Sequence, residues 1–489
     1  MMRPTLLCST LAALLLAGCA NLAPVYSRPA APVAANWPQQ SSTGTLTAGQ
    51  AETPADQLAW SDFIADDRLR QVIALALDNN RDLRVAALNI DKARAQYRVQ
   101  DAARYPALSA TGGATRDHSA GSTSNQASAT VGLTSYELDF FGKAKNLSDE
   151  ALQSYLNLAE TRRSTQISLV AETATAWLTL AADSANLSLA QDTLASQRKS
   201  YELDRASHDL GGTSGLVLSQ AHSTVDSARV DVASYQKQLA QDRNALTLLV
   251  GAAIPAELLP DASAGAPDAA SASALFRVAN ELPSSVLQRR PDVLAAEHTL
   301  QSANADIGVA RAAFFPSITL TANAGSASSA LSGLFSAGSG AWTFAPSVNI
   351  PIFNTGSNRA TLEAARVTQQ IQVATYEKAV QTAFREVADA LAERATMAEQ
   401  LEAQQSLVAS SGKSYQLSTA LFRNGGASYL DVLTSQRSLY TAQQTAITLR
   451  LAEQTNRITL YKVLGGGADT ENGTGGTVMT TAALQPSKR

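Results

Sequence analysis

The chain has 489 residues, 38 of them basic and 42 acidic, for a formal net charge of −4. It is 45% apolar yet only 16% charged. That balance excludes an ordinary nucleic-acid binder, which carries a basic patch or a strongly basic domain.

At the N-terminus, Arg3 precedes an apolar run through Leu6, Leu7 and Leu11 to Leu16, the length of a signal-peptide core. It is shorter than the roughly 20 residues a membrane-spanning helix needs. The run ends in Leu16-Ala17-Gly18-Cys19. Small residues before a cysteine suit a lipoprotein signal peptidase, and the Cys19 thiol is the atom that takes the diacylglycerol. The alternative is an ordinary signal peptide with an incidental cysteine. Cleavage before Cys19 also removes Cys8, so no intramolecular disulfide is expected. Ala20, where an Asp would retain a lipoprotein at the inner membrane, favours passage to the outer membrane. A lipidated cysteine carries more than one acyl chain, enough for stable anchoring in outer-membrane lipid.

The expected order is a leader at 1–18, a lipidated tether at 19–59, a first repeat at 60–250, a linker at 251–282, a second repeat at 283–464 and a disordered tail at 465–489. The repeats show in the residues. Arg81-Asp82-Leu83 returns as Arg290-Pro291-Asp292-Val293, and Tyr105-Pro106 returns as Phe315-Pro316, with Asp82-Leu83 and Tyr105-Pro106 at an offset of 210. Ser200-Tyr201, Gly211-Gly212 and Gly251 return as Ser414-Tyr415, Gly425-Gly426 and Gly465, an offset of 214. A nearly constant offset over so much chain marks a tandem duplication.

Each copy reads as a helix, a Tyr-Pro or Phe-Pro stop, a strand region, a very long helix, a Gly-Gly break and a second helix. Residues 143–210 and 357–411 hold neither Gly nor Pro. The first run, as one helix, would reach about 100 Å, the signature of a coiled coil or helical array. The strand regions have period two. Ser317, Thr319, Thr321 and Asn323 share one face, opposite Ile318, Leu320 and Ala322. Trp342, Phe344, Val348 and Ile350 likewise alternate with Thr343, Ala345, Ser347 and Asn349, and the first copy echoes this with Val131 and Leu133. Such alternation suits a membrane β-barrel. Gly/Ser-rich stretches at Asp117–Gln126 and Gly325–Gly340 read as its outer loops. Four strands per chain cannot close a barrel, since the smallest have about eight, and an open edge in lipid leaves backbone groups unsatisfied. Several chains must therefore share one barrel. The fold class is mainly α with a membrane β-barrel part.

No chemistry is expected. His118, His208, His222 and His298 show neither metal-ligand spacing nor a partnered nucleophile, so the chain reads as a non-enzyme without cofactor or metal.

Several stretches together resemble the outer membrane factors, the TolC-like efflux proteins in their NodT-type lipoprotein branch. They are Pro24-Val25-Tyr26-Ser27-Arg28-Pro29, Trp60 with Phe63 and Leu69, Leu282 through Asp292, and Ala303-Asn304-Ala305-Asp306-Ile307-Gly308 running to Phe315-Pro316-Ser317. The resemblance covers nearly the whole mature chain. It implies a homotrimer with a twelve-strand barrel in the outer membrane and an α-helical tunnel below. A periplasmic adaptor and an inner-membrane transporter would be its partners. Drug or small-molecule efflux is the implied function. A type I protein-secretion duct, or a non-conducting trimeric stalk, are the alternatives.

In the family the inter-helix turns form the periplasmic tip, where the tunnel narrows and the adaptor docks. Here those turns carry Gly211, Gly212, Gly425 and Gly426. The family often follows the second turn with Tyr-Leu-Asp-Val-Leu-Asp-Ala-Gln-Arg. Here Leu430, Asp431 and Arg437 are kept, but Thr434 replaces the second acid, and Val217 stands where the first copy often has one. A single Asp becomes a ring of three charges in a trimer, so a gate less acidic than usual is expected. The alternative is that Asp431 and Arg437 merely cap or pair on solvated helix faces.

Overall fold

A computed structural model describes residues 21–38, 58–260 and 284–466. The leader, Cys19, most of the linker and nearly all of the tail lie outside the described residues. The first repeat comprises α1 (Asp67–Asn79), α2 (Arg81–Ala102), β1 (Leu108–Ser119), β2 (Ser122–Glu137), α3 (Lys143–Asp209) and α4 (Gly215–Val250). The second comprises α5 (Pro291–Ala312), β3 (Ser317–Ser328), β4 (Gly340–Asn349), α6 (Thr355–Arg423) and α7 (Tyr429–Val463). Helices α3 and α6 run unbroken for 67 and 69 residues. Helix α6 continues through Gly412, which costs about 1 kcal/mol relative to Ala in a helix interior. Helices α2 and α5 both stop a few residues before a proline, whose missing N–H and ring clash forbid continuation.

The chain forms two compact units, each built from both repeats. The first contains Arg81–Thr165 and Leu287–Arg385. Its sheet has the order β1-β2-β3-β4, antiparallel throughout. Register brings the apolar faces together. Ile318, Ala322 and Ala324 lie opposite Val348, Phe344 and Trp342, while Thr319 and Asn323 lie opposite Ser347 and Thr343. Leu133 and Val131 extend the apolar face across β2, and Leu108 and Ala110 across β1.

A bulge between Leu133 and Tyr136 shifts this register by one residue. Ser135 takes φ 55° there, and its free N–H donates to Thr321 Oγ1 at 3.1 Å. A one-residue shift exchanges the faces, so Tyr136 joins Leu320 on the apolar side and Glu137 joins Thr319 on the polar side. Below the bulge, the Tyr136 hydroxyl donates to Arg104 O at 2.9 Å, and Lys143 pairs with Glu137 at 3.1 Å. At Gly132, any Cβ would sit 2.2 Å from Ala322 O, so β2 and β3 approach too closely for a side chain.

The two expected outer loops differ from the sequence reading. Residues Asp117–Gln126 are almost entirely strand, joined by the two-residue turn Ala120-Gly121. Both turn residues have positive φ, 49° and 83°, the geometry that matches the twist of a tight hairpin. In the second copy β3 runs on to Ser328 and pairing resumes at Gly340, leaving a shorter loop with one 3₁₀ turn at Leu331–Gly333. Gly and Ser content marked polarity here, not the absence of pairing.

Residues 21–38 of the tether form neither helix nor strand, and their first part is fastened to α5. Arg311 Nη1 donates to Leu22 O at 2.8 Å, and Asn304 Nδ2 to Pro24 O at 2.8 Å. Glu297, buried, accepts from the Tyr26 hydroxyl at 3.0 Å and from Arg28 Nε at 2.9 Å. Positions 297, 304 and 311 recur every seven residues, so one helix face holds the strap.

The second unit packs α1 through Leu69, Val72, Ile73 and Ala76, an amphipathic spacing. Asp66 caps α1 by accepting from the N–H groups of Arg68 and Leu69. Phe63 stacks on Tyr461 at 4.2 Å between ring centres, and the Tyr461 hydroxyl donates to Leu58 O. The start of the expected linker is folded here, where Trp177 Nε1 donates to Leu258 O at 3.0 Å.

Candidate functional site

Both helix-to-helix turns have one backbone solution. After α3, Gly212 N–H donates to Ser207 O and Gly211 N–H to His208 O, each at 2.8 Å. After α6, Gly426 N–H donates to Leu421 O at 2.9 Å and Gly425 N–H to Phe422 O at 3.0 Å. This six-to-one plus five-to-two pairing is a Schellman ending. It needs a left-handed residue, and Gly211 and Gly425 take φ 77° and 76°. A serine then caps each following helix: Ser214 Oγ accepts from Val217 N–H, and Ser428 Oγ from Asp431 N–H.

The third helix position separates the two turns. Asp431 closes a capping box, its Oδ2 accepting from the Ser428 N–H at 3.0 Å and hydroxyl at 2.7 Å. Those two hydrogen bonds hold its carboxyl below the ordinary aspartate range. Oδ1 takes part in neither bond. Val217 cannot close a box and instead packs against the cluster of Ala221, Tyr429 and Leu433. In the first turn other groups supply extra ties: His208 Nδ1 donates to Thr213 O at 2.7 Å, and the Thr213 hydroxyl to Ser207 Oγ at 2.7 Å.

The remaining gate candidates fall on two faces. Leu430 is 57% exposed. Thr434 is exposed and donates to Leu430 O at 2.8 Å. Arg437 is exposed too. Leu430, Asp431, Thr434 and Arg437 thus share an open face of α7, whereas Val217 belongs to packing.

Sequence reading missed Tyr429, which joins the two turns. It is 7% exposed, packs on Ala221 of the first copy and lies 5.4 Å from the Phe422 ring. Its phenol faces the nearly buried Asp204, whose carboxyl burial pushes up while the Tyr429 hydroxyl pulls it partly back. No spacing rule singles out a tyrosine that reaches a different repeat. The Ser428-x-x-Asp431 spacing of the capping box is a local signal that the sequence reading did not use.

The other candidate surface is the sheet. Trp342, Phe344, Val348 and Ile350 are all more than half exposed on one face, and β1 and β4 each have one edge unpaired among the described residues. Apolar, aromatic side chains on the outside and small polar ones behind are what a barrel wall in lipid requires. No described helix is long and apolar enough to cross a membrane.

Known proteins share this arrangement over its length. The profile of the outer membrane efflux protein family matches residues 72–252 and again 282–466, one match per repeat. The chain is 47% identical over 474 residues to the probable efflux pump outer membrane protein TtgC of Pseudomonas putida, covering 95% of this chain and 96% of that one. It is 42% identical over 468 residues to the cation efflux system protein CusC of Escherichia coli, covering 95% and 99%. Among solved structures, the open state of the Neisseria gonorrhoeae MtrE outer membrane channel superposes with a TM-score of 0.81 at 35% identity, covering 92% and 98%. A membrane protein from Pseudomonas aeruginosa gives 0.84 at 39%, covering 91% and 98%. Mainly helical, duplicated and carrying four strands per copy of the chain, this protein belongs to the outer membrane efflux protein family.

Proposed function

We propose that three copies of the chain close their sheets into one twelve-strand barrel and act as the passive outer-membrane exit duct of a tripartite efflux system. The single observation that carries this is the four-stranded sheet, apolar on one face and, among the described residues, unpaired at both edges. Open edges are intolerable in lipid, and like strands from neighbouring copies satisfy them. Cys19, acylated, anchors the strap to outer-membrane lipid. The helices continue the duct into the periplasm, and the turns at Gly211-Gly212 and Gly425-Gly426 meet a periplasmic adaptor that couples to an inner-membrane transporter. Leu430, Asp431, Thr434 and Arg437 line the narrow end, with one acidic ring from Asp431 rather than the several a more acidic sequence would place there. The transporter supplies energy and selection, so the chain itself needs no cofactor. The cargo is small molecules; the relatives are named for pumps of organic compounds and of cations.

The test is accumulation of fluorescent dyes and antibiotics in cells lacking the gene, in a background without other ducts of this type. Higher accumulation that the intact gene reverses is the expected result. Unchanged accumulation, with a properly assembled outer-membrane protein, would redirect the function to protein secretion.

A further inference from the structure

Within the first unit, α3 of the first repeat packs on α5 of the second through a short polar seam. Gln153 Oε1 accepts from His298 Nδ1 at 2.7 Å. Asn157 Nδ2 donates to Ala295 O at 2.7 Å and to Thr299 Oγ1 at 3.0 Å. The duplication gives every one of these residues a counterpart. At the offset of 210, His298, Ala295 and Thr299 of α5 correspond to Leu88, Val85 and Asn89 of α2. At the offset of 214, Gln153 and Asn157 of α3 correspond to Val367 and Ile371 of α6.

The second offset is fixed by packing as well as by the turns. Ser148 of α3 faces its own repeat, bonding Asp101 of α2 at 3.1 Å, and its counterpart Leu362 likewise packs against α5 of its own repeat, beside Ile307 and Ala310. Helices α3 and α6 therefore turn the same face inward. Their opposite faces must also correspond, and on α3 that face carries Gln153 and Asn157.

One of the five counterparts, Asn89, is polar; the other four are large apolar residues left open by the single chain, Val85 at 55% exposed, Leu88 at 58%, Val367 at 48% and Ile371 at 55%. On α2 and α6 they occupy the positions by which α5 and α3 hold each other. We propose that α2 of one copy docks on α6 of the next in that same register, with Leu88 against Val367 and Val85 against Ile371. This rests on the oligomeric reading above and adds to it the seam that holds the copies together below the barrel.

The difference in chemistry fits the difference in task. Inside the chain the partners are already tethered, so the seam has only to fix register, which directional hydrogen bonds do. Between chains, association costs translational and rotational freedom, and apolar burial is the term that offsets it.

The experiment places cysteine pairs in the full-length protein in native outer membranes and treats them with a short bis-maleimide. Leu88→Cys with Val367→Cys, and separately Val85→Cys with Ile371→Cys, are expected to give covalent dimers and trimers on a denaturing gel. Gln153→Cys with His298→Cys should cross-link within one chain and migrate as monomer, which shows that the reagent reaches the seam. Leu88→Cys with Ala360→Cys, two helical turns or about 10 Å away, should give no interchain product. The proposal is overturned if the off-register pair links chains while the in-register pairs do not. It is equally overturned if neither in-register pair does so while the undenatured protein still runs as a trimer. Undenatured monomer in the wild type would instead remove the oligomeric reading itself. Where a pair disturbs assembly, charge complementation replaces it: Leu88→Glu and Val367→Lys should each lose trimer singly and regain it together. No regain overturns the proposal.

Discussion

The two helix-to-helix turns share a backbone and differ in how the next helix is fastened. Both end in a Schellman pair with a left-handed glycine, and both restart on a serine cap. In the second copy the third helix residue is Asp431, bound back to its own cap. In the first it is Val217, partly buried and packed against a cluster that includes Tyr429 of the other copy. Ser214 starts its helix without an acid, so an acid there is dispensable for folding. Asp431 is then free to serve a second purpose, with Oδ1 outside the capping box. The duplication preserved the turn and divided the labour, with apolar attachment at one turn and charge at the other.

Tyr429→Ala breaks this comparison most severely, because the phenol ring is what fastens one turn to the other. Emptying a buried aromatic site costs on the order of 3 kcal/mol. Limited proteolysis should cut both turns faster in the variant, with the barrel unaffected. If only the second turn became sensitive, the attachment described for Val217 and Ala221 would be wrong.

Gly211→Val and Gly425→Val come next. Each forces a β-branched residue to positive φ, costing about 1–2 kcal/mol. Since the two backbones are alike, the losses in thermal stability should match closely. Unequal losses would show that one turn is relaxed by its surroundings.

Moving the acid sharpens the comparison with less effect on stability. Asp431→Val should lower cation selectivity, read as reversal potential in a salt gradient. Adding Val217→Asp should restore part of it by rebuilding the ring on the other turn. Selectivity unchanged in Asp431→Val would assign this carboxylate to capping alone. Because the Ser428 bonds depress its pKa, its contribution to the cap is present above the ordinary aspartate value of about 4. It fades only as pH falls below that value, so selectivity should hold through mildly acidic buffers.

The smallest effect concerns pH and again separates the copies. Burial and the neighbouring Asp242 push the Asp183 carboxyl up to about 6. The corresponding residues of the second copy, Met397 and Asn456 at the offset of 214, cannot ionise. With the folded value raised, the native state binds more protons between about pH 4 and 6, and stability falls as pH rises through that window. The melting temperature should be higher at pH 5 than at pH 7, and Asp183→Asn should flatten the difference. An undiminished difference in that variant would place its origin elsewhere.

What the sequence disclosed and what it withheld follow from range. The duplication, the unbroken helices, the proline stops and the period-two faces are local patterns, and the fold obeys them. The Gly-Gly turns were legible for the same reason, whereas the serine caps at Ser214 and Ser428 were not singled out. Two strand ends were lost because Gly and Ser between Asp117 and Gln126 argued for a loop, and nothing nearby revealed that His118 pairs with Thr123 across a two-residue turn. The bulge at Ser135 and the strap on Glu297 depend on partners more than 150 residues away. Tyr429 belongs to the same class. A residue whose role is to touch another repeat leaves no periodic trace in its own.

Current through purified protein in a planar bilayer tests the central claim most directly, comparing wild type with Tyr429→Ala. A duct closed at its tips predicts small cation-selective steps for the wild type and markedly larger steps once the turns are unfastened. Assembled trimers that insert yet pass no current in either form would contradict the account and leave a non-conducting stalk.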